Sequence, residues 1–538
     1  MISIILITIV TIYLIKLIVD YRNWLKNFYS YPSYTISLND YVTIISDWFK
    51  GFDHLTNKYT SKSFLNQIYR HTKDSDYFVL WIGYLPLVWI LKPSLVENTV
   101  KIFNIKTIFQ LAARPPVADG LFMISGKKWK TFRQIGEINL RTKMLSKFIP
   151  IMSQHADRLM DKCHLDDWID LTDDLSLTTF NVICECAMGV STKTGQLERS
   201  AFQLFKIIDK APVHLVKRTM SPYFWPEFIW KRYINYVSDG EVLIFESIFK
   251  SVTDREICRQ KAIRSQSKMN NNNHHHDGTD DLSDKNFSTI KPNHIQDNLL
   301  SHLVNLYLNQ NNDPDDLPDD EEENLITPND IENEINNFIL AGFETVRTAI
   351  LWTLICIASE PEIEKRIHDE LINVFGDDQE NEWTFDLDKL NQLNYLDCCI
   401  REGLRLFSPL IIFGRNTGVD SFQLDEVNCL PSSTEYLVSV YSVHRNEKVY
   451  PQPEKFNPDR WSSENIQSIP TNCYLPFGIG PRTCIGFRLA LIEMKIVITL
   501  IVKQFRLQVN QHYSSIDWIF PLTLKPVKPC TFKLSSRF

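Results

Sequence analysis

Residues Phe477-Gly-Ile-Gly480-Pro-Arg482-Thr-Cys484-Ile-Gly486 set one cysteine inside a turn built from glycines. A cysteine thiolate is a soft, negative ligand. On a haem iron it pushes electron density toward cleavage of an O–O bond. Gly480 and Gly486 let backbone pass close to the sulfur and take conformations that other residues avoid. Amide N–H groups along such a turn can point at the sulfur and tune its charge. Phe477 can shield it from water, and Arg482 carries a fork of donors suited to a propionate. From Phe487 to Met494 apolar residues recur with helical period. The sulfur therefore stands just ahead of a helix N-terminus, where negative charge is favoured. A small buried cysteine in a glycine turn is the competing reading, and the neighbours of Cys484 weigh against it.

At every fixed position this stretch fits F-x-x-G-x-R-x-C-x-G. In it the chain resembles the cytochrome P-450 superfamily of haem-thiolate monooxygenases, of the microsomal, membrane-anchored type. The likeness runs from about Phe109 to the C-terminus, broken by one low-complexity insertion. It implies a mainly α fold with small β-sheets (α+β), with a long central helix over the haem and an N-terminal transmembrane anchor. Cys484 would be the axial iron ligand.

Outward from that turn, 538 residues of which 44% are hydrophobic suffice for a large core. The net charge of −8 misleads: eight of the 65 acids fall within 313–323 without a base, which leaves the remainder balanced against 57 Lys+Arg. Nothing in that balance suggests a nucleic-acid binder. The eleven cysteines, Cys184/Cys186 and Cys398/Cys399 included, lack zinc-type spacing and read as reduced cytosolic thiols.

Residues 2–19, ISIILITIVTIYLIKLIV, form an apolar run. At ~1.5 Å per residue it reaches ~27 Å, just enough to cross a bilayer core. Lys16 lies near its end, where it can snorkel, and no small-residue cleavage site follows. Arg22 and Lys26 flank it and place the body of the chain in the cytosol. The expected organisation is an anchor at 1–20, a linker at 21–39 and a catalytic domain at 40–538. Disordered low-complexity insertions at 265–296 and 309–325 interrupt that domain. The histidines 274–276 sit in an asparagine tract and read as compositional.

WIGYLPLVWI (81–90) has the run of a buried strand or helix, and the resemblance favours strands. From Trp129 to about Arg264 the pattern is largely helical, and a short amphipathic helix is expected around Asn298–Leu308. Thr327-Pro328-Asn-Asp330 opens a long helix: threonine caps it, proline takes its first position and Asp330 closes a capping box. No proline intervenes before Pro361.

Within that helix lies Ala341-Gly342-Phe343-Glu344-Thr345. Glycine costs about 1 kcal/mol in a helix interior, so Gly342 wants close packing or a ligand edge. Thr345 can bond a carbonyl one turn back and open the helix, and Glu344 with Thr345 is suited to relaying protons. In the resemblance they match the family's acid–alcohol pair, with Val346 departing from the usual second Thr or Ser. Glu402-Gly-Leu-Arg405 puts acid and base on one helical face. Pro453-Glu-Lys-Phe456-Asn-Pro458-Asp-Arg460-Trp461 looks like the family's meander, which implies a buried triad of Glu402, Arg405 and Arg460.

The resemblance also implies haem contacts from Trp129, Arg133 and Arg415, joining Phe477, Gly480, Arg482, Gly486 and Ala341. Local likeness to the fatty-acid ω-hydroxylase branch lies in Val182–Gly189 and Asp119–Trp129. Ala341 stands where many of that branch carry a glutamate that esterifies haem, so haem b is expected to be held without a covalent bond. Phe109, Phe122, Phe343, Ile411, Phe413, Trp518, Ile519 and Phe520 are the expected pocket walls, and their character implies a lipophilic substrate.

The implied reaction inserts one atom of O2 into a fatty acid, sterol or xenobiotic, with electrons from NADPH through a separate FAD/FMN reductase. NADPH–cytochrome P-450 reductase is the expected partner, with cytochrome b5 as a further donor, and Lys127, Lys128 and Lys130 offer such an acidic partner a basic patch. The expected place is the endoplasmic reticulum membrane, single-pass, with a cytosolic catalytic domain. Two alternatives stay open: a haem-thiolate isomerase or dehydratase that acts on a peroxide without a reductase, which Val346 keeps alive, and a non-catalytic haem sensor, which leaves the proton relay unexplained.

Overall fold

The computed structural model describes residues 75–82, 85–100, 119–163, 167–189, 241–272, 298–310, 325–376, 383–418, 421–426, 429–520 and 523–537. It also describes 33–35 and the single positions 16, 19, 23, 26, 62, 228, 229, 232, 233 and 236. All of the expected anchor except positions 16 and 19, most of the linker and Phe109 lie outside these residues. So do 273–296 and 311–324, the greater part of both expected insertions.

Strands β1 (Ser33–Thr35), β2 (Tyr77–Ile82) and β3 (Leu85–Ile90) precede helix α1 (Pro93–Val100). Helices α2 (Gly126–Asn139) and α3 (Thr142–Met160), strand β4 (Trp168–Ile169) and helix α4 (Thr172–Met188) follow. Next come α5 (Glu241–Asn272), α6 (Leu299–Gln310), α7 (Pro328–Ala358), α8 (Pro361–Phe375), α9 (Leu387–Gln392) and α10 (Asn394–Leu406). After strands β5 (Ile412–Asn416), β6 (Phe422–Gln423), β7 (Cys429–Leu430) and β8 (Glu435–Ser439) stands the short α11 (Val440–Val443). Helix α12 (Phe487–Gln504) and strands β9 (Phe505–Val509), β10 (Trp518–Ile519), β11 (Lys525–Pro526) and β12 (Phe532–Ser536) close the chain. The protein is mostly helical with small sheets, as expected.

The chain divides into two compact units: a smaller one (1–108, 411–453 and 469–483) and a larger one (109–410, 454–468 and 484–538). In the smaller unit five strands form one sheet in the order β1-β2-β3-β8-β5. The aromatic and β-branched residues of 77–90 favour extended chain, and the stretch that admitted strand or helix is β2 paired antiparallel with β3. Register explains its core. Tyr77 and Val79 lie opposite Ile90 and Val88, which lie opposite Val438 and Tyr436. These six are buried on one face, together with Phe422 and Leu430. On the other face Phe78 stacks on its partner Trp89, with centroids 5.7 Å apart.

In the larger unit α7 is the central element. Thr327 accepts from the Asp330 N–H while Asp330 accepts from the Thr327 N–H, and Pro328 opens the first turn, so the capping box forms as its sequence predicts. Among the described residues α7 is the helix long and apolar enough to cross a membrane, but its most apolar window is 72% buried within the fold. Its apolarity therefore belongs to the core. Trp352 stacks on Phe407 at 4.2 Å and donates its indole N–H to the Leu524 carbonyl.

One boundary differs from the sequence expectation. Helix α5 runs to Asn272, so residues 265–272, expected in the first insertion, are helical. Extending an existing helix adds one hydrogen bond per residue fixed and avoids the cost of nucleation, and Gln, Lys and Met are good helix formers. Likewise α6 reaches Gln310, two residues past its expected end.

Gly342 has a packing explanation. A Cβ there would stand 2.6 Å from Cγ1 and 2.9 Å from Cδ1 of Ile183 on α4, and Thr179 of α4 donates to the Phe343 carbonyl at 3.0 Å. The two helices cross where α7 has no side chain, so of the two reasons expected for Gly342 the close packing is the one this contact supplies. Gly342→Ala is expected to lower stability by about 1–3 kcal/mol, the usual cost of overpacking. Chemical denaturation measures this, and a double variant Gly342→Ala/Ile183→Val should recover part of the loss.

Candidate haem-thiolate site

Cys484 belongs to the larger unit and immediately precedes α12. Burial pushes its thiol up, while the Gly486 N–H and the charge of Arg133 on α2 pull it down. The residue nevertheless keeps much accessible surface, as the wall of a pocket does. Gly486 has an ordinary φ of −87°, so the left-handed conformation expected there is absent. Among the described residues, nothing beyond its chain neighbours lies within 4 Å of where its Cβ would stand. Neither backbone conformation nor protein packing explains a glycine here, whereas a bound group filling that space would. Beside it, Ile485 reaches α2, its Cδ1 2.6 Å from where a Cβ on Gly136 would sit. Arg133 gives its Nε to Glu137 at 2.6 Å, and Trp129 on the same helix is buried.

The clamp on 454–461 is a closed hydrogen-bond system. Glu402 and Arg405 on α10 are fully buried and paired two-pronged, at 2.8 and 2.9 Å. Arg460 reaches Glu402 at 3.2 Å. Two donors that sequence spacing did not assign complete the set: the Trp461 indole at 2.9 Å and the Asn457 N–H at 3.0 Å.

On α7, Ala341 is exposed and Gly342 and Thr345 are half-exposed, although the helix around them is packed. An accessible strip therefore runs along a buried helix. Thr345 donates to the Ala341 carbonyl at 2.7 Å, the back-bond its position predicts. Glu344, about 100° around the helix from Thr345, is buried instead. Its Oε1 takes Arg347 at 2.6 Å, the Thr523 hydroxyl at 2.7 Å and the Lys525 ammonium at 3.3 Å. The acid and the alcohol thus occupy different surroundings rather than one polar cluster. Val346 is buried, so a hydroxyl there would not have joined an open polar network.

In the smaller unit, Gly478 and Gly480 take left-handed φ of 70° and 75°, which turns the chain sharply enough for the Thr483 hydroxyl to bond the Phe477 carbonyl at 3.3 Å. Arg482 ends the short turn Gly480–Arg482. Arg415 on β5 is buried, and its one hydrogen bond among the described residues goes to the Gly414 carbonyl. Among the described residues no carboxylate pairs with it, and burial pulls its pKa down. A buried guanidinium without a counter-charge is costly and suits an anionic ligand edge.

Within the larger unit, the Cys484 donor, the Gly486 cradle and the accessible strip of α7 fit a flat group carrying a soft metal, as haem does. The expected pocket walls divide. Phe343 has no exposed surface and meets Phe180 edge-on at 5.8 Å, and Trp518 and Ile411 are packed. A wall must face free space, so these three are core residues. Phe122 is exposed, and Phe413, Ile519 and Phe520 are half-exposed. Of the expected basic patch, Lys127 and Lys130 are exposed, but Lys128 is tied to Asp330 at 2.6 Å and pins the start of α2 to the start of α7.

The cytochrome P450 family profile matches residues 54–531. Cytochrome P450 4c3 of Drosophila melanogaster is 27% identical over 85% of this chain and 81% of its own length. Cytochrome P450 4V2 of Homo sapiens is 27% identical over 90% and 87%, and cytochrome P450 4F5 of Rattus norvegicus 27% over 80% and 77%.

Proposed function

This chain belongs to the cytochrome P450 family, whose members are haem monooxygenases, and on that premise we propose that it oxygenates a lipophilic substrate of the fatty-acid, sterol or xenobiotic type. Electrons come from NADPH through a flavoprotein reductase, with cytochrome b5 as a second donor, at the endoplasmic reticulum membrane. The observation that carries the reading is Cys484: an accessible cysteine beside a glycine whose missing side chain leaves room for a bound group.

Bound at Cys484, haem b supplies the activation of dioxygen that no side chain provides. The protein's part is to place and protect. The Gly486 N–H holds negative charge on the sulfur. Trp129 and Arg133 on α2 offer donors to propionates, a role the family likeness also gives Arg415 and Arg482. Thr345 keeps its hydroxyl at the accessible strip of α7, where it can hold a water or pass a proton. Glu344 is the carboxylate behind it. With alanine rather than glutamate at position 341, haem is held without an ester bond to the protein.

Reduced holoprotein under carbon monoxide is expected to show the red-shifted Soret band of thiolate ligation. With reductase and NADPH it is expected to hydroxylate at least one member of a panel of dodecanoate, cholesterol and 7-ethoxycoumarin. Haem loading without the shifted band would refute the assignment, and rearrangement of a lipid hydroperoxide without NADPH would favour the isomerase alternative.

A further inference from the structure

Gly136 lies inside α2, where glycine is the poorest helix former after proline. Its φ is not left-handed, so backbone conformation does not ask for it. Space does. A Cβ there would stand 2.6 Å from Cδ1 of Ile485 and 3.2 Å from Cζ of Phe338 on α7. The first separation is closer than a Cβ comes to any non-bonded neighbour, so the tip of Ile485 occupies room that every other residue at 136 would claim.

Ile485 stands between Cys484 and Gly486, whose N–H bonds the Cys484 sulfur. Phe338 precedes Ala341 by three residues and Thr345 by seven, which puts all three on one face of α7, the accessible strip. On α2, Trp129, Arg133 and Gly136 share a face in the same way, at spacings of four and three. Gly136 is thus where α2, the α7 strip and the cysteine turn come together, all within the larger unit.

We propose that Gly136 is a positioning residue for the axial sulfur: its bare backbone seats the tip of Ile485 and so fixes the depth at which the Cys484–Gly486 turn rests against α2. The inference rests on the haem-thiolate reading and deepens it. Which side yields to a methyl group at 136 follows from how each is held. Besides Gly136, α2 buries Trp129, Phe132, Ile135 and Asn139, and Lys128 ties its start to Asp330. Ile485 is half-exposed in a turn. Its branched Cβ resists rotation about χ1, so displacement of the tip passes to the peptide units on either side. One of these joins it to Cys484, and the other ends in the N–H that holds negative charge on the sulfur.

Reduction potential and the iron–sulfur stretch in resonance Raman spectra test this in full-length holoprotein, and neither needs turnover. A weakened Gly486 N–H contact leaves the sulfur a stronger donor, which favours ferric iron. Gly136→Ala is therefore expected to shift the one-electron reduction equilibrium about tenfold toward the ferric form, about 59 mV, and to raise the stretch. Ile485→Val deletes the Cδ1 that the new methyl would meet, so Gly136→Ala/Ile485→Val should return to the wild-type potential. A role confined to helix packing predicts otherwise: alanine is the better helix former, so melting temperature would change while potential and stretch stayed put. That outcome overturns the inference, as does a lowered potential that Ile485→Val does not restore. Should Gly136→Ala load no haem, the double variant decides. Wild-type loading and potential in it support the inference, and a second failure overturns it. A wild type without the red-shifted carbon monoxide band overturns the haem-thiolate reading instead.

Discussion

Glu402→Ala is expected to cost about 3–5 kcal/mol of folding stability, the range for breaking a buried ion pair by removing one partner. The figure follows from what is stranded. Arg405, fully buried, loses its two-pronged partner, while Arg460, the Trp461 indole and the Asn457 N–H lose the acceptor they share. The contact from Arg405 to the Lys455 carbonyl at 3.3 Å survives. Because a domain's whole stability is only about 5–15 kcal/mol, the variant should be largely unfolded near body temperature and should load no haem. Glu402→Gln is nearly as severe, because an amide NH2 replaces one oxygen and sets a donor against donors. Urea melts with haem titration check both, and a loss below about 1 kcal/mol for Glu402→Ala would show that the network is not a clamp. The segment it holds, 454–468, belongs to the larger unit with α10, so the lesion is expected in that unit first.

How legible the molecule is in its sequence depends on whether the controlling interaction is local. The Thr327/Asp330 capping box, the long uninterrupted α7 and the Thr345 back-bond span three or four residues, and each forms as its spacing predicts. Glu402 and Arg405 are one turn apart, and the link to Arg460 was available through a motif. Trp461 sat in that motif without a role, because nothing in its spacing says that its indole reaches Glu402.

The Glu344 grip shows where pattern runs out. Thr523 and Lys525 lie 179 residues or more along the chain from their target. Their alternation in an extended segment puts both on one side, but no local signal names the partner. Gly342 illustrates the opposite failure: the sequence correctly marks a glycine that needs a reason, yet whether that reason is a ligand or Ile183 depends on how α4 crosses α7. Phe343, Ile411 and Trp518 fail for the same cause, since aromatic or aliphatic character fits core and pocket wall alike.

Cys484→Ala is expected to abolish the red-shifted carbon monoxide band and to lower monooxygenase turnover by at least about 10³-fold, roughly 4 kcal/mol at 1.36 kcal/mol per decade. Ten other cysteines exist, but those for which burial sets the pKa, such as Cys184, Cys186, Cys356 and Cys399, are held far toward the thiol. Cys484 differs in having an amide donor and a nearby cation that oppose its burial, together with accessible surface and an open space at Gly486. None of the others combines these, so none can substitute. Because alanine could also lose the cofactor outright, Cys484→His separates ligation from retention. Imidazole keeps haem bound but does not donate charge as a thiolate does, so this variant should hold pigment, show no red-shifted band and remain inactive with reductase and NADPH. A Cys484→His protein that keeps the band places the axial sulfur elsewhere in the chain.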